Sequence, residues 1–149
     1  MRAGEETQLW ELFHGTVRSI NLRDYSEEQV AAWSPQDRDM AAWAERMQQI
    51  HPFVVVCRDQ IVGYSDLQDD GLVDHLFVHR DWQGRGVASV LMNEVERRAE
   101  SKALKSLYAH VSLTARPLFE RRGFQVEKEN RVMMGSVELI NFLMRRQLV

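Results

Sequence analysis

The sequence predicts an α/β protein built on a mixed sheet with helices on both faces. Its N-terminal strands are antiparallel, a parallel β-α-β unit follows, and a hairpin closes the chain. Three observations carry this. Apolar residues recur at helical spacing over residues 9–50 and again after Gly86. Between Phe53 and Val78, three short β-prone runs are separated by turn residues. A glycine pair, Gly84 and Gly86, then joins the third run to a helix.

In chain order, Thr7 is placed to cap a first helix, with Leu9, Leu12, Phe13, Val17 and Ile20 on its apolar face. Ser26-Glu27-Glu28-Gln29 is a capping-box signature and places a short helix over Val30 to Trp33. Ser34-Pro35 restarts a helix whose buried stripe is Met40, Trp43, Ala44, Met47 and Ile50, and Pro52 ends it. Strands follow over Phe53 to Cys57 and Ile61 to Leu67, joined at Asp59-Gln60. After Asp69-Asp70-Gly71 comes a third strand, Leu72 to Val78. A helix from Gly86 to about Ala103 carries Ala88, Leu91, Met92, Val95 and Ala99 inward. The strand Lys105 to Val111 should then lie parallel to the third, by a right-handed crossover. Thr114 to Arg122 reads as a short helix stopped by Gly123. Phe124 to Met134 and Val137 to Met144 form the last hairpin, across Gly135-Ser136.

At 149 residues the chain is expected to be one domain with a substantial core. A net charge of −3 gives no basic footprint for nucleic acid. No apolar run approaches the ~20 residues of a membrane span, and the N-terminus has no signal-peptide pattern, so a cytoplasmic protein is expected. The single cysteine, Cys57, excludes a disulfide framework and reads as an inert buried thiol. The histidines show no ligand spacing, and no metal is expected.

Gln83-Gly84-Arg85-Gly86 has a physical use beyond turning the chain. The first N–H groups of a helix lack intrahelical partners and carry the positive end of its dipole. Glycines let a ligand approach the backbone, so the stretch suits an anion such as phosphate, with Arg80 and Arg85 at hand to add charge. A Walker A loop would need a lysine after the glycines. A dinucleotide fingerprint would need G-x-G-x-x-G directly after a first strand, but Ser89 holds the last glycine position and three strands come first.

Gln83-Gly84-Arg85-Gly86-Val87-Ala88 matches Q/R-x-x-G-x-G/A, the acetyl-CoA signature of the GNAT superfamily of N-acetyltransferases. Thr114-Ala115-Arg116-Pro117-Leu118-Phe119-Glu120-Arg121-Arg122-Gly123-Phe124 resembles that family's second hallmark, A-x-x-L/F-Y-E-x-x-G-F. The order of elements is similar over nearly the whole chain. Ser26, Gln29 and Trp33, Leu76-Phe77-Val78, and Ser112 to Arg121 resemble the small bacterial YafP-like branch most closely. The family normally opens with a strand. Only about six residues precede Thr7, so that strand is expected to be short or missing, or to lie upstream.

The resemblance implies acetyl-CoA as co-substrate. Its pyrophosphate is expected on backbone N–H groups among Gly84, Arg85, Gly86, Val87 and Ala88, with Gln83 and Ser89 nearby. The pantetheine arm is expected along Leu76, Phe77 and Val78, adding like a strand. The acceptor amine must lose a proton before attack, since an amine of pKa near ~10.4 is mostly charged at neutral pH. Asp74 is the leading base, a carboxylate in an apolar strand; its alternative role is to hold a neighbouring loop N–H. His75, next door, should point to the opposite face.

The chain also departs from the family's pattern. Phe119, expected by the resemblance to border the cofactor, stands where many relatives carry a tyrosine that protonates the thiolate, and Tyr25 is a candidate substitute by reach. Ser112 replaces an asparagine that often contacts pantetheine; it either keeps one such bond or caps the following helix. Tyr25, Glu28 and Trp33 are candidate acceptor contacts, and with Glu27, Asp66, Asp69 and Asp70 they lean acidic, which favours a cationic amine. The function expected is acetyl transfer to a primary amine of a small molecule or a peptide, possible as a homodimer through the last hairpin. The alternative is a non-catalytic acetyl-CoA-binding module.

Overall fold

The computed structural model describes residues 1–148. Its elements are α1 (Glu6–Ser19), α2 (Glu27–Trp33), α3 (Met40–Ile50), β1 (Phe53–Cys57), β2 (Gln60–Ser65), β3 (Leu76–Val78), α4 (Val87–Ser101), β4 (Ser106–Ser112), α5 (Arg116–Arg121), β5 (Gln125–Met134) and β6 (Val137–Gln147). No strand precedes α1 among the described residues.

Local chemistry sets most boundaries. Ser26 and Gln29 close the expected capping box around the start of α2. The first helix starts earlier than expected: Thr7 is inside α1, and Glu5 precedes it with no side-chain cap. The third starts later. Ser34-Pro35 remains loop, because Asp39 accepts from the N–H groups of Ala41 and Ala42 and caps α3. His51, left-handed at φ 49°, ends that helix. The β1–β2 turn has positive φ at both Arg58 and Asp59, as a tight hairpin of matching twist requires.

The strands form two antiparallel sheets, β1-β2-β3 and β4-β6-β5. The expected parallel β3–β4 ladder does not form. A single parallel bridge joins Leu72 to Tyr108. There Val73 N–H donates to Tyr108 O at 2.9 Å and Tyr108 N–H to Gly71 O at 3.0 Å. Gly71 permits this approach, since a Cβ there would lie 2.4 Å from Ser106 O. The next two N–H groups, of Asp74 and His75, donate to the Asp66 carboxylate instead, at 3.3 and 2.6 Å. The chain therefore peels away from β4, and β3 shortens to three residues.

Helices cover both faces of the first sheet. On one side α4 buries Leu91, Met92, Val95 and Ala99 completely. Extra residue Val62 puts a bulge in β2, and Gly63 leaves room for Val87 and Leu91. On the other side α1 and α3 enclose Leu9, Phe13, Val17, Trp43, Met47 and Ile50 against Ile61 and Tyr64. Met40, expected in that stripe, is exposed, and Cys57 is half-buried. The two cores meet the second sheet where β3 and β4 diverge.

Candidate active site

Two cavities open along the divergence, of about 320 and 530 Å³. Phe77 of β3 and Ser112 of β4 line both, so the cavities meet between the splayed strands.

The smaller cavity runs from β3 to the start of α4. Leu76, Phe77, Val78, Gln83, Gly84, Gly86, Val87, Ala88 and Ser89 all line it. Gly84 and Gly86 have φ of 70° and 81°, and nothing lies within 4 Å of where a Cβ would stand on either. Gly86 is the N-cap of α4 and no side chain caps that end, so the first-turn N–H groups face open space. Gln83 ties the loop down, its amide donating to Val78 O at 2.9 Å. His79 N–H donates to Val62 O, so the backbones of His79 and Phe77 point at β2 and those of Leu76 and Val78 at the gap.

Arg85 and Arg80 do not line this cavity. Arg85 stacks over Trp82, 5.0 Å from the ring centre, and Arg80 lies against Gly15 in a separate depression. The cations that border the cleft are Arg23 and Arg121. Sequence reasoning missed both, although Arg121 lies within the second family motif. It also missed Thr114, a residue lining the cleft, whose hydroxyl is buried beside it with no partner. Ser112 Oγ accepts from Ala115 N–H at 3.0 Å, so it caps the turn into α5 while bordering both cavities. Phe119 is not in the cleft. It is buried against Phe124, ring centres 5.0 Å apart, because α5 presents Pro117, Leu118 and Arg121 to the cavity instead.

The larger cavity is walled by Phe13, Tyr25, Trp33, Trp43 and Phe77, and holds Arg38, Arg46, Asp74 and His75. Asp74 and His75 both reach it, since the strand pleat begins only at Leu76 and face alternation does not hold before it. His75 Nε2 is 3.7 Å from Asp74 Oδ2, and its Nδ1 is 2.9 Å from Tyr64 Oη. Burial, first, and the cations of Arg46 and Arg38 push the His75 pKa down to about 4, so the imidazole is neutral at pH 7. Asp74 is not in apolar surroundings: it is one-quarter exposed and paired with Arg46. The buried carboxylate is Asp66, fully enclosed beneath the site, and burial raises its pKa to about 6.

Tyr25 is pinned. Its hydroxyl donates to Ile140 O at 2.6 Å and accepts from Leu113 N–H at 2.9 Å. Burial raises its pKa, so it keeps its proton. Its ring packs edge-on to Trp33. Glu28 is exposed on α2 and does not line the cavity. Nor does the expected acidic lean hold: Asp69 pairs with Lys102, Asp70 with Tyr108, and the cavity balances Asp39 and Asp74 against Arg38 and Arg46.

Residues 21–144 match the family model described as an acetyltransferase (GNAT) domain. The chain belongs to the GNAT acetyltransferase family. Within it, the uncharacterized N-acetyltransferase YafP of Escherichia coli is 32% identical over 142 residues, 95% of this chain and 89% of that protein. A GCN5-related N-acetyltransferase from Rhodopseudomonas palustris superposes with a TM-score of 0.94 at 26% identity, covering 99% of this chain and 92% of the other. The PaiA N-acetyltransferase of Thermoplasma acidophilum, solved with coenzyme A, shares the fold at a TM-score of 0.77 and 16% identity, covering 99% and 95%. The GNAT assignment fits the glycine-rich helix start and the Thr114–Phe124 segment, the motifs that carried the resemblance in sequence. Among the described residues, no helix is long and apolar enough to cross a membrane.

Proposed function

We propose that the protein transfers the acetyl group of acetyl-CoA to a primary amine, with the cofactor in the smaller cavity and the acceptor in the larger. The observation that carries this is the junction at Phe77 and Ser112, where a cleft ending in uncapped helix N–H groups meets a pocket holding Asp74 and His75. The residues present fit the cofactor. Gly84 and Gly86 leave backbone N–H groups open to a pyrophosphate, Arg23 and Arg121 supply charge, and the Thr114 hydroxyl offers a hydrogen bond. The Leu76 backbone and the Val78 N–H offer a gap-facing edge to an amide-bearing arm, Val78 O being held by Thr16 and Gln83.

The bound thioester supplies an activated acetyl carbonyl. Asp74 takes a proton from the acceptor ammonium, directly or through water, and Arg46 holds that carboxylate in place. The amine nitrogen then bonds to the acetyl carbon as the carbon–sulfur bond breaks. The second proton leaves the nitrogen to water, and the electron pair of the broken bond departs on sulfur. A thiol pKa near ~8.5 makes thiolate a tolerable leaving group, and water can supply its proton. We assign Tyr25 to walling and positioning, because donating to sulfur requires it to abandon Ile140 O. His75, neutral, packs the floor beside Asp74. Residues 125–134, the edge strand of the second sheet, carry exposed Val126 and Met133 and are the surface we propose for a homodimer.

The test is release of CoA thiol from acetyl-CoA on adding a panel of primary amines. Amine-dependent release is expected. Tight acetyl-CoA binding, seen as a raised melting temperature, with no release across the panel sinks the enzyme reading and leaves a binding module.

A further inference from the structure

Arg38 is the one feature of the larger cavity that neither the transfer chemistry nor the fold explains. It lies in the loop before α3, half-buried. Its guanidinium is packed against Trp10, Phe13 and Trp43, 4.9, 5.5 and 5.6 Å from the ring centres. One Nη donates to Trp33 O at 2.7 Å. Its Nε is buried with no partner, and among the described residues no carboxylate lies within 4 Å of it. The other arginine of the cavity, Arg46, is paired with Asp74. Asp39, next in sequence, is occupied in capping α3.

A half-buried guanidinium without a counter-ion is costly, and aromatic faces offset only part of the lost hydration. The Nη donors not given to Trp33 O have no partner among the described residues and, unlike Nε, are not enclosed, so they are suited to an anion in the cavity. The direction of the cavity is consistent with this. Phe13 and Trp43 touch both Arg38 and His75, with ring centres 5.9 and 6.0 Å from the imidazole. Phe13 also packs on Phe77, at the mouth of the cofactor cleft. One apolar wall therefore runs from the proton-accepting end, beside the thioester, to the unpaired cation.

We propose that the acceptor is a small amine that also carries a carboxylate on an apolar body, with Arg38 binding the carboxylate while the amine faces Asp74. The proposal rests on the acetyltransferase reading and deepens it. A cavity of about 530 Å³ is in the range for one such molecule. Arg38 sets which amines are accepted and takes no part in proton transfer.

The experiment compares matched pairs: 4-(aminomethyl)benzoate, 3-(aminomethyl)benzoate and 6-aminohexanoate, each against its primary amide. Acetyl-CoA turnover is measured with the intact protein, and melting shifts are measured with CoA present. The wild type is expected to favour at least one acid over its amide by about tenfold or more in kcat/KM, mainly through KM. Arg38→Gln is expected to reduce that ratio to near unity, and Arg38→Lys to retain part of it. Equal use of acid and amide by the wild type overturns the proposal. So does an Arg38→Gln loss shared equally by both members, which marks a merely structural role. The melting shifts separate the two readings. A larger shift with the acid, abolished in Arg38→Gln, supports the carboxylate site even if no thiol is released, and the transferase reading alone then fails. No turnover and no shift with any acid overturns the carboxylate site.

Discussion

Asp66, fully enclosed, and His75, mostly buried beside it, have their ionisation shifted in opposite senses, and their effects on stability should offset in the wild type. His75 falls from 6.5 to about 4 on folding. The unfolded chain therefore binds the extra proton between those values, and stability contributed by the neutral imidazole is lost as pH falls from 6.5 towards 4. Asp66 rises from 3.8 to about 6. Here the folded chain binds the extra proton, so stability rises as pH falls from 6 towards 3.8. Each interval exceeds two pH units, and at about 1.36 kcal/mol per unit each is worth roughly 3 kcal/mol. Between pH 4 and 6 the two nearly offset. Asp66→Asn should remove one side: relative to wild type, stability should drop steeply on acidification. His75→Gln should leave the other: stability should rise, relative to wild type, over the same range. Both variants lose hydrogen bonds, which lowers stability at every pH, so the slope is the readout. Urea unfolding at several pH values from 4.5 to 7 supplies it. Variant curves parallel to the wild type would refute the opposed burial of these groups.

Three further outcomes follow from the geometry. Gly63→Ala places a Cβ 2.7 Å from Val87 Cγ1, at the first turn of α4; overpacking should cost about 1–3 kcal/mol in thermal or urea unfolding and raise the KM for acetyl-CoA. Asp74→Asn should lower kcat by about 10²-fold or more and flatten its pH profile while sparing acetyl-CoA binding, and an unchanged profile removes Asp74 as base. Tyr25→Phe leaves Leu113 N–H and Ile140 O without their partner and should cost about 1–3 kcal/mol of stability. Its kcat should fall by much less than the ~10²-fold expected of a general acid; a loss that large would return the acid role to Tyr25.

The sequence by itself determined the layers and the glycine turn into α4. The capping box and the glycine pair are local: Ser26 with Gln29 and Gly84 to Gly86 act within a few residues of chain, whereas the hairpin turn sits one residue earlier than the expected Asp59-Gln60, at Arg58-Asp59, because Gln60 pairs with Cys57. What it could not determine depends on partners far along the chain. The parallel ladder fails because Asp66 takes the N–H groups of Asp74 and His75, a competition that strand propensity does not register. The same competition removes the pleat before Leu76, and so puts Asp74 and His75 into one cavity when alternation separates them. Phe119 matched a motif position, yet the pitch of α5 turned it into the core and left Arg121 in the cleft. Tyr25 lost its candidate proton donation to carbonyl Ile140, 115 positions away. Arg38 gave no signal, being one arginine in a polar loop. Only the convergence of α1, α2 and α3 surrounds it with tryptophan rings and leaves its charge unmatched, because a charge acquires its meaning from what folding removes around it.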